Sequence, residues 1–399
     1  MFRSLPRTVI ALGLVSLCMD ASSELIHSLL PLFLVAGLGA GAGVLGIVEG
    51  IAEATASLMR VFAGVFSDRV GRRKPLILAG YGLAALSKPL FPLASGVGAV
   101  LLARVVDRIG KGIRGAPRDA LLADVTPPAL RGAAFGLRQS LDTVGAVIGP
   151  LAAVFLMTML DGDIRAVLWV AVLPAALAVL LIVVLVHEPE DTRPAPRPAA
   201  SLHRNEIAAL PRAFWRVALL GSLLSLARFS EAFLLLRASD MGLAAARVPL
   251  VLAALNVAYA LSAWPLGHVS DRLGRGRLMV IGLAMLVLAD LLLALDAGWW
   301  VFGAGILLWG LHMGATQGAI AALVADVAPA PLRGTAFGVL HCSSAVALLA
   351  ASAIAGGLWS AIGAPATFAA GALFALFALF AGAMALRMGP GCRGAGLAD

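Results

Sequence analysis

Charge is scarce in this sequence. Only 13% of its 399 residues are charged, 61% are hydrophobic, and the mean hydropathy is +0.97. A water-soluble domain carries roughly 25% charged and 45–50% apolar residues. No soluble fold hides this much apolar surface, so the solvent is lipid. Cysteine is scarce as well. Cys18, Cys342 and Cys392 show no metal-ligand spacing and suggest no disulfide framework. A basic tail and an aromatic-interleaved basic patch are both missing. The net charge of +8 therefore points to positively charged loops and not to nucleic acid. No nucleophile–base pair or metal-ligand set stands out. The GKG at 110–112 lacks the spacer, second glycine and Ser/Thr of a phosphate loop. An enzyme is not expected, no cofactor or metal is implied, and the absence of a nucleotide domain excludes an ATP-driven pump.

What the chain does have is long apolar runs. Only helices and closed barrels satisfy their backbone in lipid. Barrel strands alternate over about ten residues, whereas these runs are unbroken and about twice as long, so they are helices. Cutting at Gly, Pro and charge clusters predicts twelve spans: 8–36, 43–66, 75–93, 97–124, 131–158 and 165–187, then 213–238, 246–269, 277–295, 298–324, 333–361 and 365–388. The basic, then apolar, N-terminus lacks a small-x-small cleavage site and reads as the first span, retained. If the N-terminus is cytosolic, the inner loops collect most arginines, while the outer loops hold Arg165 and Arg247, with Arg237 nearby. That asymmetry and the even span count put both termini inside.

The two halves repeat. ALLADVTPPALRGAAFG (120–136) matches ALVADVAPAPLRGTAFG (322–338) at 12 of 17 positions, at an offset of 202 residues. GVFSDRVGRRK (64–74) matches GHVSDRLGRGR (267–277) at an offset of 203. A proline-rich stretch lies between the copies. The chain divides into a first half at 1–187, a cytosolic linker at 188–212 and a second half at 213–399.

These features resemble the major facilitator superfamily over the whole chain. The family loop G-x-x-x-D-R-x-G-R-[KR]-x is carried by Gly64, Asp68, Arg69, Gly71, Arg72 and Arg73, with a degenerate copy at Asp271 and Arg272. The resemblance implies a conformational latch there. Asp68 is suited to cap the following helix and to pair with arginines that separate between states. In the fourth span, Arg108-Ile-Gly-Lys111-Gly-Ile-Arg114-Gly-Ala resembles the family's R-x-x-Q-G-x-G-x-A, with Lys111 and Arg114 as departures. The family's proton-coupling role carries over to Arg108 alone. Gly136, Gly145, Gly149 and Pro150 resemble the Gly/Pro string that marks proton-coupled antiporters, although its closing Gly-Gly is Ala153-Val154. The implied fold is an all-α membrane protein of 12 transmembrane helices, two pseudo-symmetric six-helix halves around a central cavity.

The densest charge lies inside the fourth span, at RVVDRIGKGIRGAPRD (104–119). At 100° per residue its charges fall within an arc of about 140°. Ionised residues at bilayer depth cost about 2.5–3.5 kcal/mol each, so they face water or a partner. The stretch is expected to line a water-filled crevice, Arg104, Asp107, Arg108 and Lys111 first of all; for Arg114, Arg118 and Asp119 the alternative is the cytosolic end of the helix. The first span carries Asp20, Glu24 and His27 on one face. Counting 1.5 Å per residue matches Asp20 in depth with Arg108 or Lys111, and Glu24 with Arg104 or Arg108. A charge network between these spans is expected, with Asp20 and Glu24 as leading proton carriers. Glu53, Arg138, Asp142, Arg228 and Glu231 are further cavity candidates. Gln139, Asn256, His312, Gln317 and His341 are candidates for substrate contacts.

The expected activity is secondary active transport: export of a small organic molecule in exchange for protons by alternating access, in a bacterial-type inner (plasma) membrane, as a monomer. A uniporter or proton symporter for a nutrient, metal ion or metal chelate stays open. The cations of the fourth span lean toward an anionic or zwitterionic substrate.

Overall fold

The computed structural model describes residues 6–70, 72–127, 130–188, 207–329 and 332–387. Side chains at 64–70, 132, 264, 267, 268, 270–272, 318, 321, 322, 325, 333, 334 and 385–387 lie outside that description. So do Gly71 and most of the expected linker. Every element within it is helical. In order these are α1 (Arg7–Leu32), α2 (Ala42–Val70), α3 (Lys74–Ser87), α4 (Leu90–Leu93), α5 (Val97–Asp124), α6 (Arg131–Met159), α7 (Ile164–Val170) and α8 (Val172–Leu185). There follow α9 (Arg212–Ala227), α10 (Ala232–Asp240), α11 (Leu250–Leu273), α12 (Arg275–Ala294), α13 (Trp299–Val327), α14 (Arg333–Ala361) and α15 (Ala364–Arg387).

Each of the twelve expected spans is occupied by helix. Among the described residues, ten segments are long and apolar enough to cross a bilayer by length and composition. The α5 helix is not one of them, because eight of its residues are ionisable. Leu102, Phe155, Leu173, Leu180, Leu261 and Phe377 stand exposed on helix surfaces, which suits a lipid-facing perimeter and no aqueous one.

Several spans are broken where a continuous helix is expected. Pro89 supplies no N–H, so α3 stops at Ser87 and the chain resumes as α4 after a turn that sends the Lys88 side chain inward. Pro31 lies near the end of α1, and Phe33–Gly37 continue as a π-helical turn. The seventh span breaks between α9 and α10 at Arg228 to Glu231, where Arg228 leaves helical geometry at φ −103°, ψ 78°. That break has no proline or glycine to announce it. Phe229 and Ser230 are buried, as irregular backbone at membrane depth requires.

The chain forms two compact units: residues 1–199 with 231–253, and residues 200–230 with 254–399. In the first, Leu12, Val15 and Met19 of α1 meet Ile77 and Tyr81 of α3, Leu121 of α5, Ala134 of α6 and Ile182 of α8 in one core. The second is held by Phe214, Ala218, Val324 and Leu340, and by Leu224, Met279, Leu283 and Ala378. The repeated sequence keeps one interlock in both. In the first unit Arg73 Nε lies 3.7 Å from Asp124 Oδ2. In the second, Arg275 bonds Asp326, the residue 202 positions after Asp124.

Candidate functional site

The charged face of α5 meets α1, α2, α3 and α6 inside the first unit. Its deepest layer is closed. Arg104 donates through Nε and Nη2 to the two carboxylate oxygens of Glu49 at 3.0 and 2.7 Å, a fork-on-fork pair. His27 bridges there, with Nε2 3.5 Å from Glu49 and Nδ1 3.4 Å from Glu24. Lys88, turned in by the α3–α4 break, donates to Asp107 at 2.8 Å and to Ser23 at 2.9 Å. Arg108 joins this layer to the next, 3.7 Å from Asp107 and 3.3 Å from Glu53. Arg104, Asp107 and Arg108 are 1%, 3% and 2% exposed. The expectation that they line a water-filled crevice is therefore corrected: each is enclosed by its partners, which keep the charges tolerable at depth.

The next layer is reachable. Side chains of Asp20, Glu24 and Glu53 are 24%, 19% and 31% exposed. Asp20 lies 3.5 Å from Arg114, and the Arg114 guanidinium rests 4.4 Å above the Tyr81 ring. Arg118 donates to Ser16 at 3.0 Å and to Asp119 at 3.1 Å. Arg138 bonds Asp142 one turn along α6 and donates to Gln139 at 2.8 Å. Arg138 also lies 3.7 Å from Asp119. Lys111 sits in the field of Arg108, Glu53, Asp20 and Glu24, yet makes no hydrogen bond or ion pair among the described residues.

Helices one and four of the sequence thus meet through charge, but not through the expected partners. Asp20 pairs with Arg114, six residues past Arg108, and Glu24 pairs with His27. Depth counted along straight helices ignores their tilt and the reach of arginine. Arg114, Arg118 and Asp119, on the charged face of the fourth span, belong to the network as well, and so do Glu49 and Lys88; of these only Lys88 lies outside every sequence expectation. Glu49 carried a signal, standing one turn before Glu53 on α2. Lys88 carried only its isolation in an apolar span.

The glycine string acts on the same place. α6 packs along α1, and a Cβ on Gly145 would lie 2.5 Å from the Leu17 carbonyl oxygen and 3.2 Å from Asp20 Cβ. On Gly149 it would lie 2.6 Å from the Ala21 oxygen and 3.0 Å from Glu24 Cβ. These two residues let α6 touch the α1 backbone directly behind both acids. Pro150 is buried beside them. Gly136 has open space around it, so close packing does not require glycine there.

Other candidates are dispersed. Arg228 and Glu231 flank the break of the seventh span. His312 is fully buried with Nδ1 2.8 Å from the Gly282 carbonyl oxygen, so it packs two helices together and does not line an open surface. Gln317 accepts from the Tyr259 hydroxyl at 3.0 Å, Asn256 is buried, and His341 stacks on Phe337. In the loop between α2 and α3, Arg72 is exposed and Arg73 pairs with Asp124. Glu188 accepts from the Arg73 and Lys74 backbone N–H groups at 2.6 and 3.0 Å, capping α3. Gly71 and the side chains of Gly64, Asp68, Arg69, Asp271 and Arg272 lie outside the described residues.

Two six-span repeats with a buried ionic layer define a multi-pass membrane protein of the secondary-transporter class. A model of the Major Facilitator Superfamily matches residues 12–236 and 217–393. An uncharacterised MFS-type transporter of Methanocaldococcus jannaschii is 31% identical over 381 residues, covering 94% of each chain. The multidrug resistance protein MdtH of Photorhabdus laumondii is 33% identical over 144 residues, 36% of this chain and 35% of that one. Among solved structures, a POT family transporter in complex with a thioalcohol-conjugated peptide superposes with a TM-score of 0.81 at 13% identity, over 98% of this chain and 99% of that one. The chain belongs to the Major Facilitator Superfamily and is a transporter of that family.

Proposed function

We propose that the chain exports a small organic molecule in exchange for protons by alternating access. Asp20 is the proton carrier and Arg114 the cation that releases it. One observation carries this reading: Asp20 is a reachable acid whose arginine stands at 3.5 Å, an ion pair without hydrogen-bond closure, and it sits on the α1–α6 seam, where a Cβ on Gly145 would lie 3.2 Å from its Cβ. A carboxylate holds its charge beside arginine and takes up a proton once that partner withdraws and burial remains. The Gly145 and Gly149 contacts fix α6 behind the acid, so movement of α6 reaches Asp20 directly. Lys111, uncommitted among carboxylates, favours an anionic or zwitterionic substrate. Partial likeness to MdtH supports efflux. The charge bias of the loops supports cytoplasmic termini in a plasma membrane, and the protein acts as a monomer.

Proteoliposomes with an imposed proton gradient test the reading, after a thermal-shift screen has found a ligand. Antiport drives substrate against the direction of proton flow and collapses when the gradient is dissipated. Substrate movement in the same direction as protons, or indifference to them, overturns it in favour of symport or uniport.

A further inference from the structure

The second unit buries an acid that the first-unit network does not use. Asp290, on α12, has no solvent exposure. Its Oδ1 accepts from the Trp309 indole Nε1 at 3.2 Å. Its Oδ2 is buried without a hydrogen-bond partner. That oxygen faces α15 and the break of the seventh span: a Cβ on Gly371 would lie 2.7 Å from Oδ2 and 2.7 Å from the Phe229 ring. Phe229 is itself clamped edge-on against Phe368, with ring centres 5.5 Å apart.

Among the described residues no charge pairs with the acid. The helices packed on α12 are α13 and α15. From α13, the nearest titratable side chain is His312, held on Gly282, eight residues and about 12 Å along α12 from Asp290. Arg228 stands 6.0 Å from the Trp309 ring centre, on the indole and not on the acid. From α15 the charged residue is Arg387, near the far end of the helix. The basic residues of α12, Arg275 and Arg277, lie at its opposite end. An ionised carboxylate in a dry, unpaired site is far costlier than a neutral one, and such groups take up a proton instead.

We propose that Asp290 is a proton-binding site of the second half, its proton carried on Oδ2 beneath Phe229 and exchanged with water when Phe229 withdraws. The step is a simple one: the O–H bond of the carboxyl breaks, its proton passes to water, and the carboxylate keeps its hydrogen bond from Trp309. Phe229 belongs to the non-helical link between α9 and α10, a place where small backbone rotations move a side chain without breaking a helix. The site does not depend on Asp20 carrying protons, so the two assignments fail separately.

Infrared spectroscopy of the purified protein over a pH series reads the site directly. A dry protonated carboxyl gives its own carbonyl band. The band is expected to persist at neutral pH, to vanish in Asp290→Asn, and to remain in Asp20→Asn. In Trp309→Phe, which removes the hydrogen bond, it shifts in frequency. In Phe229→Ala, water reaches the acid and the band's titration midpoint falls by at least about one pH unit. If Asp290→Asn leaves the spectrum unaltered, or if Trp309→Phe does not move the band, the proton is elsewhere and the assignment fails. An unmoved midpoint in Phe229→Ala overturns the role of Phe229 as cover.

Discussion

Lys88 and Asp107 form a fully closed ion pair in the first half, with Nζ to Oδ1 at 2.8 Å. The residues 202 positions on are Asp290 and Trp309, which also touch, at 3.2 Å. Duplication has kept the geometry of the contact and changed its chemistry. A salt bridge, tied onward to Arg108 and Glu53, stands in one copy. A lone carboxyl under an indole stands in the other. The helix-end interlock, Arg73 with Asp124 and Arg275 with Asp326, survived in both. The halves therefore share their mechanical joints and differ in what they bury. Among the described residues, one holds a web of ions that compensate each other, and the other holds an acid with no ion pair.

The largest effect comes from opening the web. Lys88→Met leaves Asp107 without its closest cation and is expected to cost about 3–5 kcal/mol, seen as a steep fall in melting temperature and yield in detergent. Adding Asp107→Leu removes the stranded charge, so the double variant recovers most of that loss. A double variant as unstable as the single one would show that the pair acts through neighbours and not as a unit. Next is the α1–α6 seam. Gly149→Val drives a side chain into the Ala21 carbonyl and is expected to cost about 1–3 kcal/mol along with transport, whereas Gly136→Ala leaves both near wild type. Thermal melting and vesicle uptake of the two variants measure the contrast.

Most of the fold was readable beforehand, because apolar runs of helix length and their charged ends set the spans almost residue by residue. Arg333–Ala361 and Val97–Asp124 coincide with their expected limits. The breaks were readable only in part: Pro89 foretells the one at Lys88, while nothing local foretells the one at Arg228, which depends on the packing of Phe229. Within the site, the charged face of α5 and the acids of α1 follow from helical periodicity. Partner choice does not, since it turns on tilt and side-chain reach, and so Arg114 replaced Arg108 opposite Asp20. Asp290 and Lys88 gave no pattern at all. Each is one charge in an apolar run, and only the fold shows what faces it.

Smaller effects belong to the second half. Asp290→Asn preserves the shape of a neutral carboxyl and can still accept from Trp309, so it is expected to cost no more than about 1.5 kcal/mol, against several for Lys88→Met. A collapse of stability in Asp290→Asn would erase the contrast between the halves. Smallest of all is Arg275→Gln, since the side chains of Arg275 and Asp326 are 40% and 55% exposed. Such pairs are worth about 0–1 kcal/mol, and the melting temperature should barely move.

The claim that the first half does the coupling is most directly met by Asp20→Asn in proteoliposomes, with ligand binding and proton-driven flux followed on the same preparation. The account predicts that the variant binds ligand and exchanges it across the membrane but no longer accumulates it against a gradient at any pH. Uphill transport that keeps the wild-type pH dependence would contradict it, and would move proton coupling away from the Asp20–Arg114 pair.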